Sequence, residues 1–273
     1  MILLWYDPVI NRVPWTKLQC SLFEEVTKMK PPDKIIVALD VPDFGKALEL
    51  AVLLRPHVWG FKFNVVFLTF VLSQLLTCKD EREALGKLRT LNQLFKTISK
   101  IFWDGKFNDI PRTVYGASRA LRDLQVKMFD VHASAGSDAM KAALAQKGKS
   151  LVLANTVLSS LDGDTVQSIF GASAEEKVLQ FSHEAMDIGC DGIVASAREL
   201  AILRTHERFC GWTKVAVGIR DAGDPIDDQT RSTTAAEAIR AGATHLVIGR
   251  PITGADDPVK AAQKFAAQIG EAV

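Results

Sequence analysis

The stretch Ile35-Ile36-Val37-Ala38-Leu39-Asp40-Val41-Pro42 runs apolar for five residues, meets a carboxylate, and turns into a helix-length segment at Asp43–Leu54. A near-continuous apolar run of this kind marks a strand buried on both faces in a parallel sheet. An open doubly wound sheet would more often carry a G-x-G-x-x-G turn here, and none follows Asp40. Outward from this unit the pattern repeats. Strand candidates fall at Ile35–Asp40, Val58–Asn64, Ile101–Gly105, Met128–Ala133, Leu151–Leu158, Gly192–Ser196, Thr213–Ile219 and His245–Arg250. Helix-length segments lie between them, among them Pro111–Leu124, Ser137–Gln146, Ser173–Ile188, Thr234–Ala241 and Pro258–Ile269. Strands alternating with helices, and no two-residue hairpin joining strands, predict one α/β domain, a (β/α)8 TIM barrel over residues 33–273.

Two segments stand outside the repeat. Residues 1–32 form an N-terminal extension that ends in Lys30-Pro31-Pro32-Asp33, a stiff break before the first strand. Leu18, Leu22, Phe23 and Val26 suggest a short amphipathic helix within it, covering the bottom of the barrel. The segment Lys79–Ser99 carries Leu85, Leu88, Leu91, Phe95 and Ile98 at helical spacing and predicts an extra helix between strands two and three. Both are expected to serve packing.

Composition narrows the function. Across 273 residues, 33 Lys+Arg against 32 Asp+Glu leave a net charge of +1, so no general field draws the chain to nucleic acid or to an anionic membrane. No apolar run approaches the ~18–20 residues of a membrane span, and the apolar start, stopped by Asp7 and Pro8, lacks the basic region of a signal peptide. Cys20, Cys78, Cys190 and Cys210 form no C-x-x-C pair and read as free thiols in a reducing compartment. His57, His183, His206 and His245 have no ligand spacing, so no metal site is expected. A cytoplasmic enzyme or binding protein is the expectation.

In such a barrel, functional groups gather at the C-terminal ends of the strands. Those ends carry Asp40, Lys62, Asp104, Lys106, Asp109, His132, Ser159, Arg220 and Arg250. His132 reads as a structural or supporting residue. The third strand holds Phe102-Trp103-Asp104-Gly105-Lys106-Phe107-Asn108-Asp109-Ile110-Pro111. Strand alternation projects Asp104 and Lys106 to one side, about 7 Å apart along the strand. A lysine kept protonated among carboxylates is suited to delivering a proton to a carbanion. Asp109 lies on the turn into the helix, aimed back at this pair or outward at another subunit. Near the C-terminus, Gly218-Ile219-Arg220 is followed by a Gly/Asp/Pro loop to Gln229, and then by Gly249-Arg250-Pro251. Loops after strands seven and eight often bind phosphate, and the segment between Arg220 and Gln229 reads as a lid with donors at both ends.

These residues together resemble orotidine 5′-phosphate decarboxylase. The matching pieces are Ala38-Leu39-Asp40, Lys62, the Asp104-x-Lys106-x-x-Asp109-Ile-Pro element, Val131-His132, Gly218-Ile-Arg220 through Asp228-Gln229, and Gly249-Arg250-Pro251, in the family's order from residue 35 onward. The resemblance implies cofactor-free, metal-free decarboxylation of a small-molecule nucleotide, orotidine 5′-phosphate, to uridine 5′-phosphate and CO₂ in pyrimidine biosynthesis. It implies that Lys106 protonates C6 and that Asp104 sits near the substrate carboxylate and holds Lys106. Asp40 and Lys62 would bind ribose hydroxyls, Ser159 the base, and Arg220, Gln229, Gly249 and Arg250 the phosphate. Asp109, Ile110 and Thr113 would reach into a partner's site, so a homodimer with shared active sites is implied. The chain departs from the family's usual pattern in having Asn64 where a glycine is common and Val217 where a proline is common.

Two rivals share parts of the pattern. A metal-dependent keto-sugar-phosphate decarboxylase or hexulose-phosphate synthase also carries D-x-K-x-x-D, but a cation at Lys62 repels Mg²⁺ rather than ligating it. A non-catalytic phosphate-binding barrel would not need the intact set Asp40, Lys62, Asp104, Lys106 and Asp109.

Overall fold

The computed structural model describes residues 29–221 and 233–272. Eight parallel strands close into a barrel in chain order: β1 (Ile35–Ala38), β2 (Gly60–Asn64), β3 (Ile101–Phe107), β4 (Met128–His132), β5 (Leu151–Asn155), β6 (Gly192–Ser196), β7 (Thr213–Val217) and β8 (His245–Ile248). β8 pairs back onto β1, placing Ile36 opposite Val247.

Around the barrel run α1 (Phe44–Leu54), α2 (Val65–Leu76), α3 (Glu81–Thr97), α4 (Pro111–Asp123), α5 (Ser137–Gln146), α6 (Gly163–Phe170), α7 (Ala174–Asp187), α8 (Ala197–Arg204), α9 (Ala235–Arg240), α10 (Arg250–Thr253) and α11 (Pro258–Gly270). Their starts follow from local chemistry. Asp43 accepts the Lys46 N–H at 2.7 Å, Ser173 and Glu176 close a capping box, and Thr234 with Glu237 closes another. Each satisfies backbone donors that a first helical turn leaves orphaned.

Strand alternation sorts the core into two layers. Outward residues such as Phe61, Phe63, Phe129 and Val152 pack against the helices. Inward residues Ile36, Phe102, Met128, Leu153, Val194, Val215 and Val247, with Trp59, fill the barrel itself. Trp103 faces the helix layer. Further along the same inward faces the side chains turn polar, and there the site begins.

Several expected strands prove shorter. β1 stops at Ala38, β5 at Asn155, β7 at Val217 and β8 at Ile248, although Leu39, Val157 and Ile219 beyond them remain buried. Apolar runs report burial, and the loops that fold over the barrel rim are also buried. The insert expected over Lys79–Ser99 is α3, and it follows α2, so two helices separate β2 from β3. Leu91, Phe95 and Ile98 of the expected stripe pack, with Phe95 stacked on Phe63 at 5.5 Å between ring centroids. Leu85 and Leu88 stay exposed. A 17-residue helix spans about 25 Å, longer than the roughly 17 Å of five-residue β2, so its first turns overhang. The helix expected in the extension falls outside the described residues apart from 29–32, where Pro31–Lys34 form a 3₁₀ turn. Cys78, Cys190 and Cys210 are free thiols, and Cys20 lies outside the described residues. Among the described residues no helix is long and apolar enough to cross a membrane.

Candidate active site

β3 supplies the centre of the site. It pairs with β4 through Phe102–Met128 and Trp103–Phe129, but the next pair is Phe107–Val131. Four steps on β3 therefore oppose two on β4, and Asp104-Gly105-Lys106 bulge from the ladder. Lys106 takes a left-handed backbone, φ 47°, which costs an L residue roughly 1–2 kcal/mol. A Cβ on Gly105 would come within 2.8 Å of the Phe107 ring and 3.2 Å of Trp103, so the bulge needs a glycine there.

Four charged side chains converge. Asp104 Oδ1 accepts a hydrogen bond from the Lys106 ammonium, and Asp104 Oδ2 accepts one from Lys62 at 2.8 Å. Lys62 also reaches Asp40, at 3.4 and 3.5 Å to the two oxygens. The order Asp40–Lys62–Asp104–Lys106 alternates in sign, and the exposed ends differ from the middle. The Lys62 and Asp104 side chains are each 7% exposed, against 38% for both Asp40 and Lys106. Lys62 and Asp104 form the buried middle of this chain of charges, and Asp40 and Lys106 its more open ends.

The electrostatics follow from this order. Burial pushes the Asp104 carboxyl up, but the Lys62 and Lys106 ammoniums outweigh it and hold it down at about 2. Burial opposes the charge on Lys106, yet Asp130 and Asp104 overcome it and raise the ammonium above the ordinary lysine range. Burial raises Asp40 despite Lys62. His132, on the inward face of β4, is pushed down by burial and by Lys106. At neutral pH Lys106 is thus a protonated acid held beside carboxylates.

The remaining expected residues fall in two groups. Arg220 and Arg250 leave the same end of adjacent strands β7 and β8. Gly218 supplies a positive φ of 78° at the turn. Arg220 N–H donates to Thr233 at 3.0 Å and Thr233 N–H to Gly218 at 3.2 Å, which ties together the two ends of the intervening loop. Asp221 accepts from Lys264 and, at 3.0 Å, from Gln268. Gln229 and the expected lid lie outside the described residues. Gly249 precedes α10, whose first residue is the exposed Arg250. Ser159 lies on a turn four residues beyond the end of β5.

Asp109 and Ile110 lie on the turn after β3, and Thr113 in the first turn of α4. All three are exposed, and Asp109 accepts the neighbouring Ile110 N–H at 2.7 Å. The departures at 64 and 217 have local roles. Asn64 caps α2, accepting from Val66 at 3.0 Å and Phe67 at 3.4 Å, and Val217 packs on the inner core. His183 and His206, far apart in sequence, come together edge to face at 6.0 Å between centroids, with Arg208 at 3.3 Å from His183 Nδ1.

Asp130 and Asn155 are site residues that the strand-end reading passes over. Asp130 sits mid-strand, fully buried, and accepts the Lys106 backbone N–H at 2.9 Å and Asn155 Nδ2 at 2.9 Å. A carboxylate at the inward position between Met128 and His132, in an otherwise apolar run, was the available signal.

The Orotidine 5′-phosphate decarboxylase / HUMPS family model matches residues 33–265. An orotidine 5′-phosphate decarboxylase of Moorella thermoacetica is 39% identical over 259 residues, covering 90% of this chain and 96% of that one. One of Halorhodospira halophila is 38% identical over 247 residues, covering 88% and 98%. The crystal structure of orotidine 5′-phosphate decarboxylase from Lactobacillus acidophilus superposes with a TM-score of 0.66 at 27% identity, over 86% of this chain and 98% of that one. With a family match over most of its length and relatives of nearly its own size, the chain belongs to the orotidine 5′-phosphate decarboxylase / HUMPS family.

Proposed function

We propose that this protein converts orotidine 5′-phosphate to uridine 5′-phosphate and CO₂, with Lys106 as the proton donor. The observation that carries the reading is the alternating Asp40–Lys62–Asp104–Lys106 chain, with the Lys106 ammonium held on Asp104. The C6–carboxylate bond breaks, CO₂ leaves, and the electron pair stays on C6. The Lys106 ammonium stabilises that pair and then gives it a proton, leaving a neutral amine that solvent reprotonates.

Asp104 contributes on the substrate side. A substrate carboxylate about 4 Å from it is opposed by roughly 4 kcal/mol at an effective dielectric of about 20, and the opposition vanishes as CO₂ departs. Asp104 can stay ionised against that pressure because Lys62 holds its other oxygen. Asp40 and Lys62 meet the ribose hydroxyls, Ser159 the base, and Arg220, Gln229, Gly249 and Arg250 the phosphate. Phosphate binding energy then serves the reacting end of the molecule.

The working form in this reading is a cytoplasmic homodimer in which Asp109, Ile110 and Thr113 complete the partner's site. Their exposure supports it, as do the bare apolar side chains beside them: Ile110 is 65% exposed, and Tyr115, Val65 and Val66 are exposed nearby on the first turns after β3 and β2. Against the metal-dependent sister chemistry stands Lys62, whose ammonium occupies the space between Asp40 and Asp104 where a divalent ion would need both carboxylates.

The test is to mix chelator-treated protein with orotidine 5′-phosphate and follow the loss of its ultraviolet absorbance. Full turnover without added metal is expected. Activity that disappears with chelator and returns with Mg²⁺ would overturn the metal-free reading, and no turnover under either condition would reject orotidine 5′-phosphate as the substrate.

A further inference from the structure

Asp130 is a fully buried carboxyl that the chemistry above does not use. It points into the barrel from β4, on the same face as Met128 and His132. Its two oxygens have separate duties. Oδ1 accepts the backbone N–H of Lys106 at 2.9 Å, and Oδ2 accepts Nδ2 of Asn155, itself buried on β5, at 2.9 Å.

The first of these bonds replaces a missing rung. The β3–β4 ladder skips from Trp103–Phe129 to Phe107–Val131, and the Lys106 N–H falls in the gap. Lys106 also holds one of only two positive-φ backbones at non-glycine residues among those described. A strained conformation persists only where its surroundings over-determine it. Here the carboxylate of Asp130, clamped from behind by Asn155, supplies that determination. The direction in which the Lys106 ammonium leaves the backbone depends on the same φ.

We infer that Asp130 is a positioning residue for Lys106, holding the β3 bulge in the conformation that aims the ammonium at Asp104 and the reacting carbon, with Asn155 fixing its carboxylate. The inference rests on the decarboxylase reading for its kinetic consequences. Electrostatics support it. Asp130 is the foremost of the carboxylates that raise Lys106. Burial and Asp104 push Asp130 itself up to about 7. The groups acting on it are Asp104 and Lys106 from β3 and the uncharged Asn155 from β5; His132 follows two residues on along its own strand, and Lys62 and Asp40 stand behind Asp104. The ionised form is the better acceptor for the Lys106 N–H, so positioning weakens as pH falls below about 7.

The experiment compares the parent protein with Asp130→Asn, Asp130→Ala and Asn155→Ala. It measures kcat and KM for orotidine 5′-phosphate, Kd for uridine 5′-phosphate, the pH dependence of kcat, and hydrogen exchange at the Lys106 amide. Asp130→Ala is expected to lower kcat at least 100-fold, to move Kd less than threefold, and to speed exchange of the Lys106 amide at least tenfold. Asp130→Asn keeps an acceptor, so its kcat stays within about tenfold of the parent, but the fall in kcat below pH 7 disappears. Asn155→Ala lowers kcat five- to twentyfold with Kd unchanged. A kcat for Asp130→Ala within threefold of the parent, or equal losses in kcat and Kd, would overturn the inference. If Asp130→Ala does not fold, an Asp130→Asn pH profile superimposable on the parent's, with unchanged kcat in Asn155→Ala, overturns it. A parent that turns over no substrate rejects the decarboxylase reading instead, and amide exchange then decides the positioning role alone.

Discussion

Lys62 and Asp104 form a buried ion pair at 2.8 Å, and this pair leaves a single oxygen of Asp104 for Lys106. The partition matters because a carboxylate this buried needs both ammoniums to stay ionised at about 2. Removing one partner of a buried pair costs roughly 3–5 kcal/mol, mostly through the charge left behind.

Lys62→Ala should therefore lower the melting temperature at pH 7 and shift acid unfolding to higher pH. The folded-state value of Asp104 lies below its ordinary 3.8, so its stabilisation is complete above 3.8 and is lost as pH falls toward 2. With Lys62 gone, that loss begins at higher pH. Circular-dichroism melts at pH 7 and an acid titration check both, and an unmoved acid midpoint would contradict the coupling.

Lys106→Ala should abolish turnover and leave nucleotide binding measurable, because proton donation acts at the transition state while ribose and phosphate contacts hold the ground state. Steady-state assay and calorimetry with uridine 5′-phosphate separate the two. Turnover retained within tenfold of the parent would exclude Lys106 as the donor.

Arg220→Ala or Arg250→Ala should weaken uridine 5′-phosphate binding by roughly 1.5–3 kcal/mol, about 10- to 150-fold, through loss of a charge-assisted phosphate contact. Uridine should be barely affected. Equal losses for nucleotide and nucleoside would put the phosphate elsewhere.

Asp130→Asn should stabilise the fold at high pH and not at low pH. The native carboxyl sits near 7 against an ordinary 3.8, so between these values the folded chain binds more protons and stability falls as pH rises. Asparagine removes that loss. Melting temperatures of parent and variant should converge near pH 4 and separate progressively to pH 8; a constant difference would mean that Asp130 does not titrate as the fold suggests.

Subunit mixing tests the shared site. If Asp109 serves the partner's lysine, a hybrid of Lys106→Ala and Asp109→Asn subunits has one doubly damaged site and one intact site. Random pairing makes half the dimers hybrids and restores about a quarter of parental activity. No recovery in demonstrated heterodimers would show that Asp109 acts in its own chain.

The barrel was readable because the strands are predominantly apolar runs buried on both faces, and helix ends were readable where a capping residue announced them, as at Asp43, Ser173 and Thr234. Helix α2 was not, because Val65–Leu76 is apolar nearly all round and has no period to detect; only Phe67 within it is fully buried. The charged set on β1, β2 and β3 was legible from residue type at strand ends. The bulge was hidden, since nothing in Asp104-Gly105-Lys106 states how many residues of β4 it faces. Asp130 was missed for the same reason: its importance depends on a neighbour's register, which only pairing reveals. The same alternation that put Asp104 above Phe102 would have put Asp130 above Met128.

The inner core is the floor on which these charges stand. Phe102 lies two residues before Asp104 on the inward face of β3, and Met128 two before Asp130 on β4. This apolar plug acts as an electrical insulator as well as packing, since it keeps water from entering beneath the carboxylates and screening them. Trimming Phe102 or Met128 would open a void directly beneath the carboxylates, with polar partners on that side to hold a water, and so weaken every interaction that depends on a low local dielectric. A volume defect at the bottom of the barrel would then be felt as a change of acidity at its mouth, so chemistry at Lys106 is tuned in part by residues that carry no charge.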